Sequence, residues 1–225
     1  MINIAGYTTE RKIGEGHFSE VFLVKNRATQ ESRAVKIPTN EEYRRLIKEE
    51  GIVASGLRHP NIAEVYDVVI DSEVPYLLME FAPGRNLEQL LRRTRLDRAQ
   101  AIGIIVQIGD ALVYAHEQGV LHCDLKPSNI IVRKDSGGLE VKVTDFNLGK
   151  IVAEIGKEFA QRSGYQGEGD LSGYAGKDEN EEEFIRGTLR YMAPEMLQGE
   201  PPTVLSDMYS VGIIMEDIIK NMAGE

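Results

Sequence analysis

The residues that first suggest chemistry lie in two short stretches. HCDLKPSNI occupies 122–130, and TDFNLG begins fifteen residues beyond Asn129, at 144–149. Together they put two acids, a lysine and an asparagine on short loops beside strands, which is the equipment phosphoryl transfer needs. One aspartate must orient the attacking hydroxyl, while an asparagine and a second aspartate hold magnesium through hard oxygen ligands. Asp124, Asn129 and Asp145 fit those roles. Any one of them alone reads better as a turn former; it is their joint order that carries the argument.

Two further stretches suit the same chemistry. Lys36, in AVKI at 34–37, has apolar neighbours on a strand and could reach α- and β-phosphates as a point charge if a carboxylate held it there. Glu50, nine residues before the His59-Pro60-Asn61 turn, is the best partner, with Glu49 as the rival. In GEGHFSEV at 14–21, glycines 14 and 16 let backbone amides approach phosphate oxygens with no Cβ in the way. A plain hairpin turn would show the same two glycines. The stretch is not a Walker A loop, because no GK[ST] follows and the next element reads as a strand.

The elements that must position these residues can be read from periodicity. Residues 7–38 suggest three antiparallel strands with turns at 14–16 and 26–32, and a helix follows from Asn40, a candidate N-cap, to Ser55. Strand-like runs return at 62–70 and 75–81, so the first eighty residues read β-β-β-α-β-β. Beyond Pro83 and Gly84 helices dominate. A long one starts at Asp97, whose spacing to Gln100 fits a capping box, and ends near Gly119; positions 101, 102, 104, 105, 108, 111, 112 and 115 form its apolar face. Runs at 130–133 and 139–144 around DSGG read as a hairpin, and 154–186, rich in glycine and charge, as a loop.

Composition narrows the class. The chain has 225 residues, 42% of them hydrophobic, and a formal charge of −10, which suits a soluble globular chain and argues against one built to coat nucleic acid or anionic membrane. A single cysteine, Cys123, rules out an internal disulfide and suits a reducing compartment, so a cytoplasmic location is expected. No apolar run reaches the ~18 residues of a membrane span, and IGIIVQIG at 102–109 is interrupted by Gln107. The first residues lack the features of a signal peptide.

Taken together, these stretches resemble the catalytic domain of eukaryotic-type serine/threonine protein kinases, from about Tyr7 to the end. The resemblance extends to YLLMEFAPGRNL at 76–87, similar to the family's hinge, to GTLRYMAPE at 187–195 and to SDMYSVG at 206–212. It implies an α+β bilobal fold, with a small β-rich lobe at 1–81, a mainly helical and incomplete lobe at 82–225, and a long activation loop at 146–194. It implies ATP and Mg2+ as cofactors and a protein substrate with a serine or threonine acceptor. Asp124 would be the catalytic base, Lys126 would neutralise the transferring group, and Asn129 and Asp145 would bind magnesium. Nucleotide would meet Ile13, Gly14, Gly16, Val21, Ala34, Lys36, Glu50, Met79, Glu80, Ala82 and Ile131. Asp207 would brace the catalytic loop, and Ala54, Val65, His122 and Phe146 would form an internal stack. Lys126 and Thr188 favour the serine/threonine branch. A catalytically inactive scaffold and a small-molecule kinase of the antibiotic or choline type are the competing readings, the second disfavoured by residues 187–195.

The chain departs from the family at several points. Ser19 replaces the third glycine of the phosphate loop, Asn147 the glycine of DFG, and Cys123 the arginine that commonly grips a phosphorylated activation loop. Activation independent of loop phosphorylation is therefore expected. Ser163, Tyr165, Ser172 and Tyr174 could be modified, and the acidic run 178–183 reads as a solvated segment. VLSDMYSVGIIMEDII at 204–219 is apolar around most of its circumference, the pattern of a helix buried on all sides. A bound partner or further chain is expected to cover it and to supply an arginine for Glu195.

Overall fold

The computed structural model describes residues 4–16, 19–40, 43–70, 72, 74–135, 137–146 and 188–224. The chain divides into two compact units, Met1–His59 with Ala63–Ala82, and Pro60–Ile62 with Pro83–Glu225.

The first unit is a five-stranded antiparallel sheet in the order β1-β2-β3-β5-β4 with one helix against it. Its strands are β1 (Tyr7–Glu15), β2 (Ser19–Asn26), β3 (Ser32–Pro38), β4 (Val65–Val69) and β5 (Tyr76–Glu80), and the helix is α1 (Arg44–Ala54). Alternation along β3 divides two faces. Val35 and Ile37 pack with Ile4, Val24 and Leu78 in one core cluster, so Ala34 and Lys36 point to the other face, as the period of two demands. The register there runs Gly14–Val21–Lys36–Leu77–Val68 across all five strands. Helix α1 starts three residues later than the sequence suggests. Its N-cap is Tyr43, without a side-chain cap, while the side-chain oxygen of Asn40 accepts the Tyr43 N–H at 3.2 Å, the bond its reading as a cap implied.

The second unit holds α2 (Leu87–Arg93), α3 (Arg98–Glu117), α4 (Pro194–Leu197) and α5 (Val204–Ala223), with a sheet of β6 (Arg85–Asn86), β7 (Ile130–Asp135) and β8 (Gly138–Val143). The capping box of Asp97 and Gln100 forms at the start of α3, and Gly119 follows its end at φ 73°. The buried face of α3 comprises Ala101, Ile104, Ile108, Ala111, Leu112 and Ala115. Ile102, expected there, is exposed: at 100° per residue it lies too far round the helix from Ile104 and Ile108.

Among the described residues, α3 is long and apolar enough by length and composition to cross a membrane. Its Gln107 ties it to the sheet of the second unit. The side-chain oxygen accepts from Val141 N–H and Asn61 Nδ2, and the amide donates to Leu139 and Gly103 carbonyls. The residue that interrupts the apolar run therefore laces α3 to the edge of β8.

Helix α5 has a covered side and an open one. One side buries Ser206, Asp207, Ser210, Val211, Ile214 and Ile218. The opposite side leaves Leu205, Met208, Met215 and Ile219 exposed. The open side is the one that the partner or further chain expected from the sequence would cover, while the buried stripe contains two serines and an aspartate whose partners lie on the 122–123 loop, α3, α4 and the Tyr191 backbone.

Candidate active site

Lys36 and Glu50 meet in the first unit. The ammonium contacts both carboxylate oxygens at 2.8 Å, and the two side chains are only 5% and 4% exposed. A buried pair with two-point contact is held far more firmly than a surface pair. The rival Glu49 turns outward to Arg45 at 2.7 Å, a helix-surface pair one turn apart. Val21 stands directly across from both Gly14 and Lys36, and Ala34 directly across from Met79. Gly14, Val21, Ala34, Lys36 and Met79 therefore share rows on the face of the sheet that carries α1. Gly16 N–H closes the turn on Ser19 O at 2.8 Å. Ile13 is half-buried in β1, while Glu80 at the end of β5 exchanges hydrogen bonds with Glu64 through its own N–H and its carboxylate. Ala82 follows, half-buried. Ile131 belongs to the second unit, on β7 opposite Asn86 and Lys142.

In the second unit, residues 122–129 form a loop fixed from several sides. Leu125 is buried, and Pro127 opens a single 3-10 turn, Pro127–Asn129, that leads straight into β7. Asp124 Oδ2 lies 2.9 Å from Lys126 Nζ, which also donates to Thr188 Oγ1 at 3.0 Å. Asn129 Nδ2 donates to the Asp124 backbone oxygen at 2.8 Å and to its Oδ2 at 3.2 Å. That commits the amide nitrogen to Asp124 and leaves Asn129 Oδ1, a hard oxygen, as the end that can meet a cation. Thr144 N–H donates to Asn129 O at 2.9 Å, which sets Asp145 next to this loop. Asp145 has φ 63°, in the left-handed region where a non-glycine residue is strained, a feature that gathers at functional sites. Among the described residues no three His, Cys, Asp or Glu side chains form a metal cage. Asn129 and Asp145 fit the alternative, a magnesium ion held by one or two protein oxygens and completed by substrate phosphates and water.

The loop hangs from Asp207. This carboxylate, 1% exposed on α5, accepts the N–H groups of His122 and Cys123 at 2.8 Å each and His116 Nε2 at 2.7 Å. Bracing by Asp207 was expected; the third donor, His116, was not, since a lone histidine on a helix carries no signal of its partner. His122 is buried and tilted against Phe146, ring centres 4.6 Å apart. Its Nδ1 accepts from Asp124 N–H, so Nε2 carries the proton toward Thr144 O at 3.0 Å. Burial holds this imidazole below its ordinary pKa and neutral. Burial, and then the charges of Asp207 and Asp124, push the Cys123 thiol up to about 12. Ala54 and Val65 are buried in the first unit.

Several contacts of the 188–197 stretch were also not foreseen. Tyr191 donates to Asp217 at 2.7 Å, and burial followed by that bond raises its pKa. Arg190 pairs with the same carboxylate, and Ser210 Oγ donates to Tyr191 O at 2.7 Å. Glu195, for which a more distant arginine was expected, accepts from Ser206 Oγ at 2.7 Å. Residues 147–187 lie outside the described part, and with them Asn147, Ser163, Tyr165, Ser172, Tyr174 and the acidic run.

The first unit holds a buried lysine-glutamate pair over a glycine-turned sheet, and the second an Asp-Lys-Asn loop braced by a buried aspartate, the residue sets a nucleotide-dependent phosphotransferase uses. The protein kinase domain family matches residues 7–223, nearly the whole chain, and the chain belongs to that family. Serine/threonine-protein kinase PknJ of Mycobacterium tuberculosis is 32% identical over 214 residues, covering 92% of this chain and 33% of the relative. PknD of Protochlamydia amoebophila is 30% identical over 95% of this chain and 23% of its own length. Mouse dual specificity testis-specific protein kinase 2 is 30% identical, with 96% and 35% covered. The chain thus spans about a third or less of these relatives. Among solved structures, Rad53 1–466 in complex with AMP-PNP superposes with a TM-score of 0.68 at 26% identity, over 98% of this chain and 49% of that one. The Mycobacterium tuberculosis PknI kinase domain shares the fold, with a TM-score of 0.65 at 24% identity over 99% and 77%. The α+β fold expected of the sequence is therefore the kinase fold.

Proposed function

We propose that this domain transfers the γ-phosphoryl group of Mg-ATP to serine or threonine hydroxyls of protein substrates. The observation that carries the proposal is Lys126, whose ammonium touches both Asp124 Oδ2 and Thr188 Oγ1. One cation thereby ties the candidate base to the segment that resembles the family's substrate platform. Bound Mg-ATP supplies the transferable group and the cation charge that offsets its oxygens. Asp124 would orient the acceptor hydroxyl and take its proton as the new O–P bond forms and the bond from the γ-phosphorus to the β–γ bridging oxygen breaks, with ADP leaving. Lys126 offsets the charge around that carboxylate and the phosphoryl oxygens. Asn129 and Asp145 would hold the magnesium, and Lys36, fixed by Glu50, would bind the α- and β-phosphates. The names of PknJ and PknD, serine/threonine-protein kinases, support the choice of acceptor.

Phosphoamino-acid analysis of a labelled protein substrate tests the acceptor: phosphoserine or phosphothreonine is expected, and phosphotyrosine alone would overturn the assignment. Chelation of magnesium should abolish transfer, and full activity in its absence would remove Asn129 and Asp145 from their role. Location in the cytoplasm is part of the same proposal, supported by the buried free thiol of Cys123. Recovery of the protein from the medium rather than from cells would contradict it.

A further inference from the structure

Gly51 stands inside α1, immediately after Glu50, and its φ is not in the left-handed region that favours glycine. Glycine is the poorest helix former after proline, so its place here has to be explained by packing. A Cβ on Gly51 would lie 2.3 Å from Leu77 Cδ2 and 2.7 and 2.9 Å from the two methyls of Val68. Those neighbours hold a particular position in the sheet. Leu77 is directly opposite Lys36 across β3 and β5, and Val68 is directly opposite Leu77 across β5 and β4. Residues directly opposed in an antiparallel sheet share a face, so Lys36, Leu77 and Val68 form one row. Successive residues of α1 meet that row in order: Glu50 reaches Lys36 with both oxygens at 2.8 Å, and Gly51 rests on Leu77 and Val68.

We propose that Gly51 is a positioning residue: its missing side chain sets the height of α1 above the sheet and with it the two-point contact of Glu50 to Lys36. A single added methyl has no cheap escape. Leu77 is fully buried, and rotating Val68 moves only one of its two methyls out of the way at a time. The helix must then lift, and the carboxylate of Glu50 must give up one of its two contacts or draw Lys36 with it. The kinetic consequence rests on the phosphotransferase reading above; the geometric one does not.

The test compares the full chain with Gly51→Ala, Val68→Ala and the double variant, by hydrogen exchange of the 44–54 amides without nucleotide and by KM for ATP against kcat. Gly51→Ala should raise the ATP KM and speed exchange in α1, each by about tenfold, with a smaller change in kcat. Val68→Ala alone should stay within about threefold of the parent, and the double variant should return to within about threefold, because both Val68 methyls are gone and the space they leave lets Leu77 Cδ2 turn away from the added methyl. Helix propensity alone predicts the reverse for Gly51→Ala, slower exchange in a stiffer helix. That result, or a double variant no better than Gly51→Ala, would overturn the proposal. If Gly51→Ala fails to fold, recovery of a folded protein in the double variant supports the proposal and its absence overturns it. A parent chain without transferase activity would refute the activity reading, while exchange still decides the role of Gly51.

Discussion

Asp207 is the residue on which most of the second unit's loop geometry converges. Two backbone N–H groups and His116 donate to it in a site almost closed to water. Replacing it with asparagine would set an amide NH2 against a donor and leave buried groups unsatisfied, at a cost of about 1–3 kcal/mol for each. Asp207→Asn should therefore lower both thermal stability and kcat, and unchanged kcat would dissociate the brace from the chemistry.

His122 gives a pH prediction. Its folded pKa lies below the unfolded value of 6.5, so the unfolded chain binds the extra proton first. The stability that neutral His122 contributes is complete above 6.5 and is lost as pH falls from there toward the folded pKa. Melting temperature should fall between pH 7.5 and 5.5 more steeply for the parent than for His122→Phe, which is less stable overall; parallel curves would contradict this. Cys123, with its thiol pushed from 9.0 to about 12, should hold roughly a thousandfold less thiolate than an ordinary thiol. Iodoacetamide should label it slowly in the native protein and fast after denaturation, and equal rates would place the thiol at the surface.

At the scale of elements, what was legible in the sequence followed from local chemistry. The strands β1 to β5, the capping box of α3 and the β7–β8 hairpin depend on nearest neighbours, and they form where periodicity and turn residues place them. What was not legible depends on partners distant in sequence. Lys36 was recognisable, but Glu50 and Glu49 became distinguishable only when α1 turned one toward the sheet and the other toward Arg45. Ser206, Tyr191 and Asp217 gave no signal, because a serine or tyrosine gains its partner only when the 188–197 stretch lies against α5.

Asn221 belongs to the same class. It accepts Leu96 N–H at 2.9 Å and donates to Leu91 O at 2.8 Å and Thr94 O at 3.0 Å, fastening the end of α5 to the last turn of α2 and the loop that follows it. Asn221→Leu should destabilise the fold by about 2–4 kcal/mol, since three hydrogen bonds are lost and part of the backbone is left unpaired. A melting temperature within a degree of the parent would show that the fastening is not needed.

For the whole molecule, the two units carry complementary halves of one chemistry: Lys36 and Glu50 in the first, Asp124, Lys126, Asn129 and Asp145 in the second. The α+β organisation was readable because the strand-rich residues precede the helical ones along the chain, with Pro83 and Gly84 at the change. Gly84 has its own reason to be there, since a Cβ on it would lie 2.5 Å from the carbonyl oxygen of Val132. The apolar circumference of α5 did not tell which of its sides this chain itself covers. The central claim, phosphoryl transfer with Asp124 as base, is tested most directly by radiolabelled phosphate from ATP, offered with magnesium and a generic basic protein to the chain and to Asp124→Asn. Incorporation by the chain and a loss of about a hundredfold or more in the variant is the expected result. Equal incorporation by both, or none by the chain while it binds ATP, would contradict it.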